Sequence, residues 1–391
     1  MTFLDRVATI QILKGERLKS QELRTSSESG DPINLIKVIL AEGKMINEKL
    51  PELGKIHPEF FDRVIYPRLG AKDKNIVIGP RHGVDYGVLK NGASYMAMST
   101  DPFFIVPSLG FAKAAWFAFH IICSDVAVSG LKPRYLAVDL NLPPEMTESQ
   151  LEEMWETVHV ESKKYGISIL TGHTARYTGC NYPMVGGATA IAVGSKAELR
   201  GPFRVKTGDQ IVITKGPAIE TTGLLAVLFP DKFIKAGGKA FQKEAAGVFG
   251  QMSVMDDCAV AREFKGVRVM HDATECGIWG GLYEMAKAGN YGLAIQEELI
   301  PVQPVIKKTA ELFHFDPFCA ISEGTLLAIV DKNETDKLIA AFNKNRILSA
   351  IAGEVVDSKK GMKIRNDNGE RTLEHPKVDP YWKLAAEFSK Q

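Results

Sequence analysis

Leu109-Gly110-Phe111-Ala112-Lys113-Ala114-Ala115-Trp116-Phe117-Ala118-Phe119-His120-Ile121-Ile122-Cys123-Ser124-Asp125-Val126-Ala127-Val128 is rich in Ala, Phe, Ile and Val, and at about twenty residues it could span a bilayer as a helix. Lys113, His120 and Asp125 lie inside it, however, and a charged group at bilayer depth is costly. The run therefore reads as a helix buried in a soluble core. Working outward, a strand is expected around Arg134–Leu140. A helix follows, entered through Thr147-Glu148-Ser149-Gln150, with Thr147 and Gln150 at capping-box spacing. Strands Ser168–Thr171 and Met184–Val193 come next. On the N-terminal side, Asn75–Gly79, Gly83–Leu89 and Ser94–Ser99 read as three short strands, with Lys90-Asn91-Gly92 as a hairpin turn. These elements make a mixed α/β unit.

Near Gly201-Pro202 a second domain begins. Gln210–Thr214 is its first strand, followed by helical stretches near Ala218–Leu228 and Ser253–Glu263 and the strand Val267–Met270. A Gly-rich helix after Asp272 and strands near Leu326–Val330 and Leu348–Val355 complete it. This alternation indicates α/β or α+β layers in both halves. Upstream, Leu4, Val7 and Ile10, then Leu35, Ile36, Ile39 and Leu40, recur at helical spacing around a polar, turn-forming segment, Thr25–Pro32. The expected organisation is a helical extension over residues 1–60, one domain over 61–197 and another over 198–391.

Composition bounds the partners. The chain has 391 residues, 45% hydrophobic and 24% charged, the balance of an ordinary globular protein. Its 48 Lys and Arg against 47 Asp and Glu leave a net charge of +1. That lacks the basic surplus by which nucleic-acid binders release counterions from phosphates, so neither nucleic acid nor membrane is an expected partner. Five scattered cysteines without a C-x-x-C pair argue against zinc fingers, thioredoxin-like centres and a disulfide framework. The first residues show no secretory signal pattern, and a reducing cytoplasm is the expected address.

The chemistry should lie with aspartates at the ends of apolar elements. Asp85 interrupts an apolar strand between glycines, Asp101 closes a strand and is followed by Pro102, Asp125 ends the buried helix, and Asp272 follows Val267–Met270. A buried carboxylate is expensive without a cation, and these segments offer few Lys or Arg. A divalent cation would reverse the repulsion among converging acids, and oxygen-only ligands suit Mg²⁺ bridging to phosphates. Simpler roles compete at three positions. Asp101 before proline can begin a turn, Asp85 can stabilise a hairpin, and Asp272 with Glu275 has the spacing of a helix capping box. Asp125 has no local reason to stand in so apolar a helix.

Thr171-Gly172-His173-Thr174 ends another strand. Gly172 permits close approach to an anion and Thr174 offers a hydroxyl, whereas His173 can be a ligand, an acid/base or a satisfied partial-core residue. Ser322-Glu323-Gly324 is a further rim candidate. No Walker loop, G-x-G-x-x-G after a strand, kinase His-Arg-Asp set or G-x-S-x-G elbow is present.

Five segments together resemble the aminoimidazole-ribonucleotide (AIR) synthetase, or PurM-like, superfamily. They are Ser99-Thr100-Asp101, the stretch Ser124–Leu136, Thr171-Gly172-His173-Thr174, Met270-His271-Asp272-Ala273-Thr274-Glu275-Cys276-Gly277 and Ser322-Glu323-Gly324. The likeness runs from about Val77 to Val356 and is nearest to the hydrogenase-maturation HypE proteins. It implies an α/β (α+β) two-domain fold, with an N-terminal ATP-binding domain whose sheet pairs across a homodimer as a barrel and a C-terminal α/β domain. It also implies ATP in a cleft, with Mg²⁺ held by Asp85, Asp101 and Asp125. Thr100, Gly172 and Thr174 stand in the same motifs as further expected nucleotide contacts.

The chain departs from HypE in three places. The glycine-rich N-terminal segment is replaced by a different preface, His173 stands where HypE has an aspartate, and the sequence ends Phe388-Ser389-Lys390-Gln391 without a cysteine. The expectation is therefore a HypE-like, ATP- and Mg²⁺-dependent enzyme that does not perform HypE's own dehydration. It would phosphorylate a small substrate or activate its amide or carbonyl oxygen, with His173 as acid/base and Asp272 completing the cluster or orienting substrate. A catalytically silent nucleotide-binding assembly or regulatory module and a metal-dependent phosphohydrolase are the alternatives.

Overall fold

The hairpin expected at Lys90-Asn91-Gly92 opens a six-stranded sheet in the structure, a computed structural model that describes residue 56 and residues 58–388. The strands are β1 (Ile76–Ile78), β2 (Gly87–Asn91), β3 (Ser94–Phe104), β4 (Pro133–Leu142), β5 (Ser168–Arg176) and β6 (Met184–Gly194). Their spatial order is β1-β2-β3-β6-β4-β5. Gly92 makes the turn with φ of +61°, where a side chain would be strained. The strand expected from Gly83 starts only at Gly87, so Asp85 lies in the loop before it. Pro102 does not end its strand as expected. Pairing of β3 with β6 continues to Phe104 through a register shift between Pro102 and Phe104, an irregularity that tolerates the missing N–H.

Helices α1 (Phe111–Ala127) and α2 (Glu148–Tyr165) accompany this sheet. Parallel strands cannot be joined by a tight turn, and α2 is the crossover between the parallel pair β4 and β5. Its capping box forms as expected: Gln150 N–H donates to Thr147 Oγ1 at 3.3 Å, and Thr147 N–H donates to Gln150 Oε1 at 2.9 Å. Gly166 closes the helix in the left-handed conformation.

The second sheet holds β7 (Gln210–Thr214), β8 (Val267–Asp272), β9 (Gly292–Gln296), β10 (Leu326–Val330), β11 (Ser349–Val356), β12 (Met362–Asn366) and β13 (Gly369–Thr372). Their order is β13-β12-β9-β11-β7-β10-β8. The helices of this half are α3 (Ile219–Leu228), α4 (Pro230–Gly247), α5 (Met255–Ala261), α6 (Gly277–Gly289), α7 (Pro304–Phe313), α8 (Thr335–Lys344) and α9 (Pro380–Phe388). One face of the sheet, with Val212, Met270 and Ala328, joins the apolar core that contains α1 and the first sheet. The other face, with Ile211, Val269 and Leu327, packs on Ile278, Trp279 and Leu282 of α6. Strands covered on both faces need no polar alternation, which is why β7 and β10 read as unbroken apolar runs.

Helix α1 touches β3 on one side and α5 on another. It therefore carries no polar face, and the membrane-like composition of Leu109–Val128 follows from its place at the centre of the molecule. Among the described residues no helix is long and apolar enough to cross a membrane. Among the described residues, 62–388 cluster as one compact unit. The helical reading of residues 1–55, including the polar segment Thr25–Pro32, lies outside the described residues.

Candidate active site: a buried carboxylate cluster

Strand β8 extends two residues beyond its apolar run and ends in His271 and Asp272, both buried. Helix α6 starts only at Gly277, with Cys276 at its N-cap and no side-chain cap. The capping-box role considered for Asp272 and Glu275 is therefore excluded, since Asp272 is strand rather than helix terminus.

His271 supplies the cation that the neighbouring segments lack. Its Nδ1–H donates to Asp85 Oδ2 at 2.5 Å, and its Nε2 lies 3.4 Å from Glu284 Oε2. Burial alone would push the imidazole pKa down. The charge and hydrogen bond of Asp85, with the contact to Glu284, outweigh burial and hold it well above the ordinary value. Asp85 reaches this partner because Gly83, with φ of +72°, packs against the Glu284 backbone: a Cβ there would lie 2.4 Å from the Glu284 carbonyl oxygen.

Asp101 and Asp125 meet through strand–helix packing. Ser99 Oγ donates to the carbonyl of Ile122 at 3.2 Å, fixing β3 against α1. Residues two apart in a strand share a face, so Asp101 follows Ser99 toward the helix, where its carboxyl faces that of Asp125 in the last turn. Burial, the Asp101 hydrogen bond and charge, and the charges of Asp272 and Asp85 hold the Asp125 carboxyl well above its usual range.

Deeper in the second half the acids continue. Asp272 is pushed up to about 7, first by burial and then by Asp85, with His271 opposing. Glu323 is raised by burial, by Asp272 and by Glu220, and Glu220 reaches about 8, chiefly through burial. Glu220 Oε2 accepts the Glu323 N–H at 3.1 Å. Both carboxyl oxygens of Asp272 and both of Glu323 are buried without a donor. Glu220 was not among the expected site residues, and Glu323 was only a rim candidate. The signal for Glu220 was the one that exposed Asp125, an acid inside an apolar helix, since α3 is buried from Ile219 to Ala226.

Asp85, His271 and Asp272 offer ligand atoms within 4.8 Å of one another, and Asp125 feels the charges of both aspartates. The carboxylates of Asp85, Asp101 and Asp125 form an oxygen-rich set that fits Mg²⁺, and the buried, unpartnered oxygens of Asp272 stand beside it. Because His271 Nδ1 is engaged by Asp85, it serves as counter-charge rather than ligand.

The other expected residues lie apart from this cluster. Thr100 alternates to the opposite face of β3 from Asp101, where its hydroxyl meets Thr189 Oγ1 at 2.9 Å. Gly172, His173 and Thr174 are exposed on edge strand β5. The sheet order sets β4 and β6 between them and β3. His173 Nε2 lies 2.8 Å from Tyr177 Oη.

Two sheets sharing one helical core, with acids from both converging beside it, define a two-part α/β protein built around a buried carboxylate site. The chain belongs to the AIR synthase related family. Residues 83–193 match the N-terminal domain of AIR synthase related proteins and residues 206–364 match the C-terminal domain. Over 303 residues it is 28% identical to the carbamoyl dehydratase HypE of Escherichia coli (strain K12), covering 73% of this chain and 83% of that one. The crystal structure of E. coli HypE, a hydrogenase maturation protein, superposes with a TM-score of 0.63 at 25% identity, covering 74% of this chain and 88% of that chain. A HypE structure in complex with ATP shares the fold, with a TM-score of 0.58 at 19% identity over 83% of this chain and 93% of that chain.

Proposed function

We propose that this protein is an ATP- and Mg²⁺-dependent enzyme that phosphorylates a small substrate, or activates its amide or carbonyl oxygen by phosphorylation. The observation that carries the reading is the convergence of Asp85, Asp101, Asp125 and Asp272, with both oxygens of Asp272 buried and without a donor. Likeness to HypE, for which an ATP complex is known, supports the nucleotide.

In this reading Asp85, Asp101 and Asp125 hold Mg²⁺. When bound, the ion neutralises charge on the transferring phosphoryl group. His271 keeps Asp85 oriented. Asp272 is pushed up to about 7, and Glu323 is raised by burial and by Asp272 and Glu220; a carboxyl group raised toward the working pH can both give and take a proton. Raised acids beside a reacting group suit the protonation of a leaving oxygen or the deprotonation of an attacking one. His173, Gly172, Thr174 and Thr100 lie on exposed strand positions, where contact with nucleotide would come through the partner surface of a homodimer.

Phosphate release from ATP with Mg²⁺, screened against small amides and phosphorylated metabolites, tests the reading. Turnover that needs Mg²⁺ and is lost in Asp125→Asn is expected. Absence of nucleotide binding by the folded wild type would overturn it.

A further inference from the structure

The C-terminal segment carries a carboxylate that none of this chemistry uses. Asp379, buried just before α9, accepts the Cys276 N–H through Oδ2 at 2.7 Å and the Tyr381 N–H through Oδ1 at 2.8 Å. The backbone N–H of Ile321 faces the same carboxylate and lowers its pKa against the rise that burial causes. Cys276 and Ile321 belong to different loops. Cys276 is on the loop that leaves Asp272, and Ile321 is on the loop that carries Glu323.

We propose that Asp379 is a positioning residue, a clamp that holds the Asp272 and Glu323 loops in one relative arrangement. The proposal rests on the reading of those acids as the inner part of the active site. The Asp272 loop needs such a clamp. Cys276 and Gly277 are successive residues in the left-handed region, with φ of +66° and +59°, and for a non-glycine residue that conformation persists only where its surroundings over-determine it. A Cβ on Gly277 would lie 2.6 Å from the Ala320 carbonyl oxygen, so the two loops already touch and a small displacement of one moves the other. Trp382 Nε1–H adds a second tie, donating to Glu275 Oε1 at 3.1 Å. Leu384 anchors α9 in the core by its apolar side chain.

The test compares Asp379→Ala and Asp379→Asn with Leu384→Ala, which loosens α9 without removing an acceptor from either loop. Amide hydrogen exchange at Cys276 and Ile321 should accelerate by at least about tenfold in Asp379→Ala and by less in Asp379→Asn, which keeps one carbonyl acceptor. ATP turnover, followed as phosphate release, should fall about tenfold in kcat with KM for ATP changed less than about twofold, because the nucleotide-metal acids sit on other elements. Leu384→Ala, even with a comparable loss of thermal stability, should retain kcat. Unchanged exchange at both amides in Asp379→Ala, or a kcat loss fully reproduced by Leu384→Ala, would overturn the proposal. If the wild type releases no phosphate, the assignment of the site fails, while the exchange arm still decides whether Asp379 clamps the loops.

Discussion

His271 and Asp85 are 186 residues apart in sequence, and their side chains meet at 2.5 Å. This contact joins the end of β8, in the second sheet, to the loop that enters β2 in the first. It places a buried imidazolium among carboxylates that would otherwise repel one another. With Glu284 on its other nitrogen, His271 is held from both halves of the molecule. Such a pair is weak evidence of net stabilisation, because desolvation offsets attraction, but removing one partner leaves a buried charge uncompensated.

The first prediction follows from that asymmetry. His271→Leu should destabilise the protein by about 3 kcal/mol, read as a lower urea midpoint at unchanged slope. The double variant His271→Leu with Asp85→Asn should recover part of the loss, because the orphaned charge is then removed as well. A single variant as stable as wild type would show that His271 is not the counter-charge of the cluster.

Asp125→Asn should act in opposite directions on stability and binding. Removing one of several buried, mutually repelling acids should leave the metal-free protein as stable as wild type or more so. Affinity for Mg²⁺-ATP should fall by at least about tenfold. Calorimetric titration beside thermal melts reads both effects. Unchanged affinity in a folded variant would remove Asp125 from the site.

The pH dependence of the metal-free protein has a definite sign. Asp272 and Glu220 are raised to about 7 and about 8, and Asp125, Glu323 and His271 are raised as well. Each binds a proton in the folded state at pH values where the unfolded chain has released it, so stability falls as pH rises through the folded values. His120, pushed down by burial against the pull of Glu161, works the other way only near and below its ordinary value. Between pH 6.5 and pH 9 the melting temperature should therefore drop by roughly 5 °C. Saturating Mg²⁺ should flatten the profile. A melting temperature that rises over this range would contradict the protonation states assigned to the cluster.

The protein should be a homodimer through its first sheet. Strands β4 to β6 present Tyr135, Ile169, Leu170 and Met184 to solvent, with Leu170 at 60% exposure, and β5 is an edge strand exposed over almost its whole length. Exposed apolar edges are liabilities that pairing removes. Light scattering should give the mass of two chains at micromolar concentration, and Leu170→Glu should give one. A monomeric wild type would refute the pairing.

Much of this architecture is written in short-range chemistry. Thr147 and Gln150 start α2 because a hydroxyl and an amide three residues apart satisfy each other's backbone donors, whatever surrounds them. The limits of β7 and β10 follow from apolar runs bounded by turn residues, and the buried character of α1 from a composition that no solvated helix would carry. The acids Asp85, Asp101, Asp125 and Asp272 stand out because each interrupts or ends an apolar stretch of sequence. Helix α4 escaped sequence reading because two adjacent glycines in its middle, Gly237 and Gly238, mask a helical pattern that kinks at Gly238.

What required the fold is the identity of the partners. Thr100 and Asp101 are neighbours in sequence, yet the alternation of β3 sends one to the exposed face and the other to Asp125. Asp272 sits at a spacing that suits a helix cap, but β8 continues through it beside β10, because Leu326 pairs with it across the ladder. His173 stands in a motif next to glycine and threonine, and the sheet order puts it on an edge far along from β3. His271, Glu220, Glu323 and Asp379 acquire their roles only from contacts spanning long stretches of chain. Local sequence determined which residues are unusual for their element. Tertiary structure decided which of them face one another, because the cost of burying a charge depends on its neighbours in space and not on its neighbours in the chain.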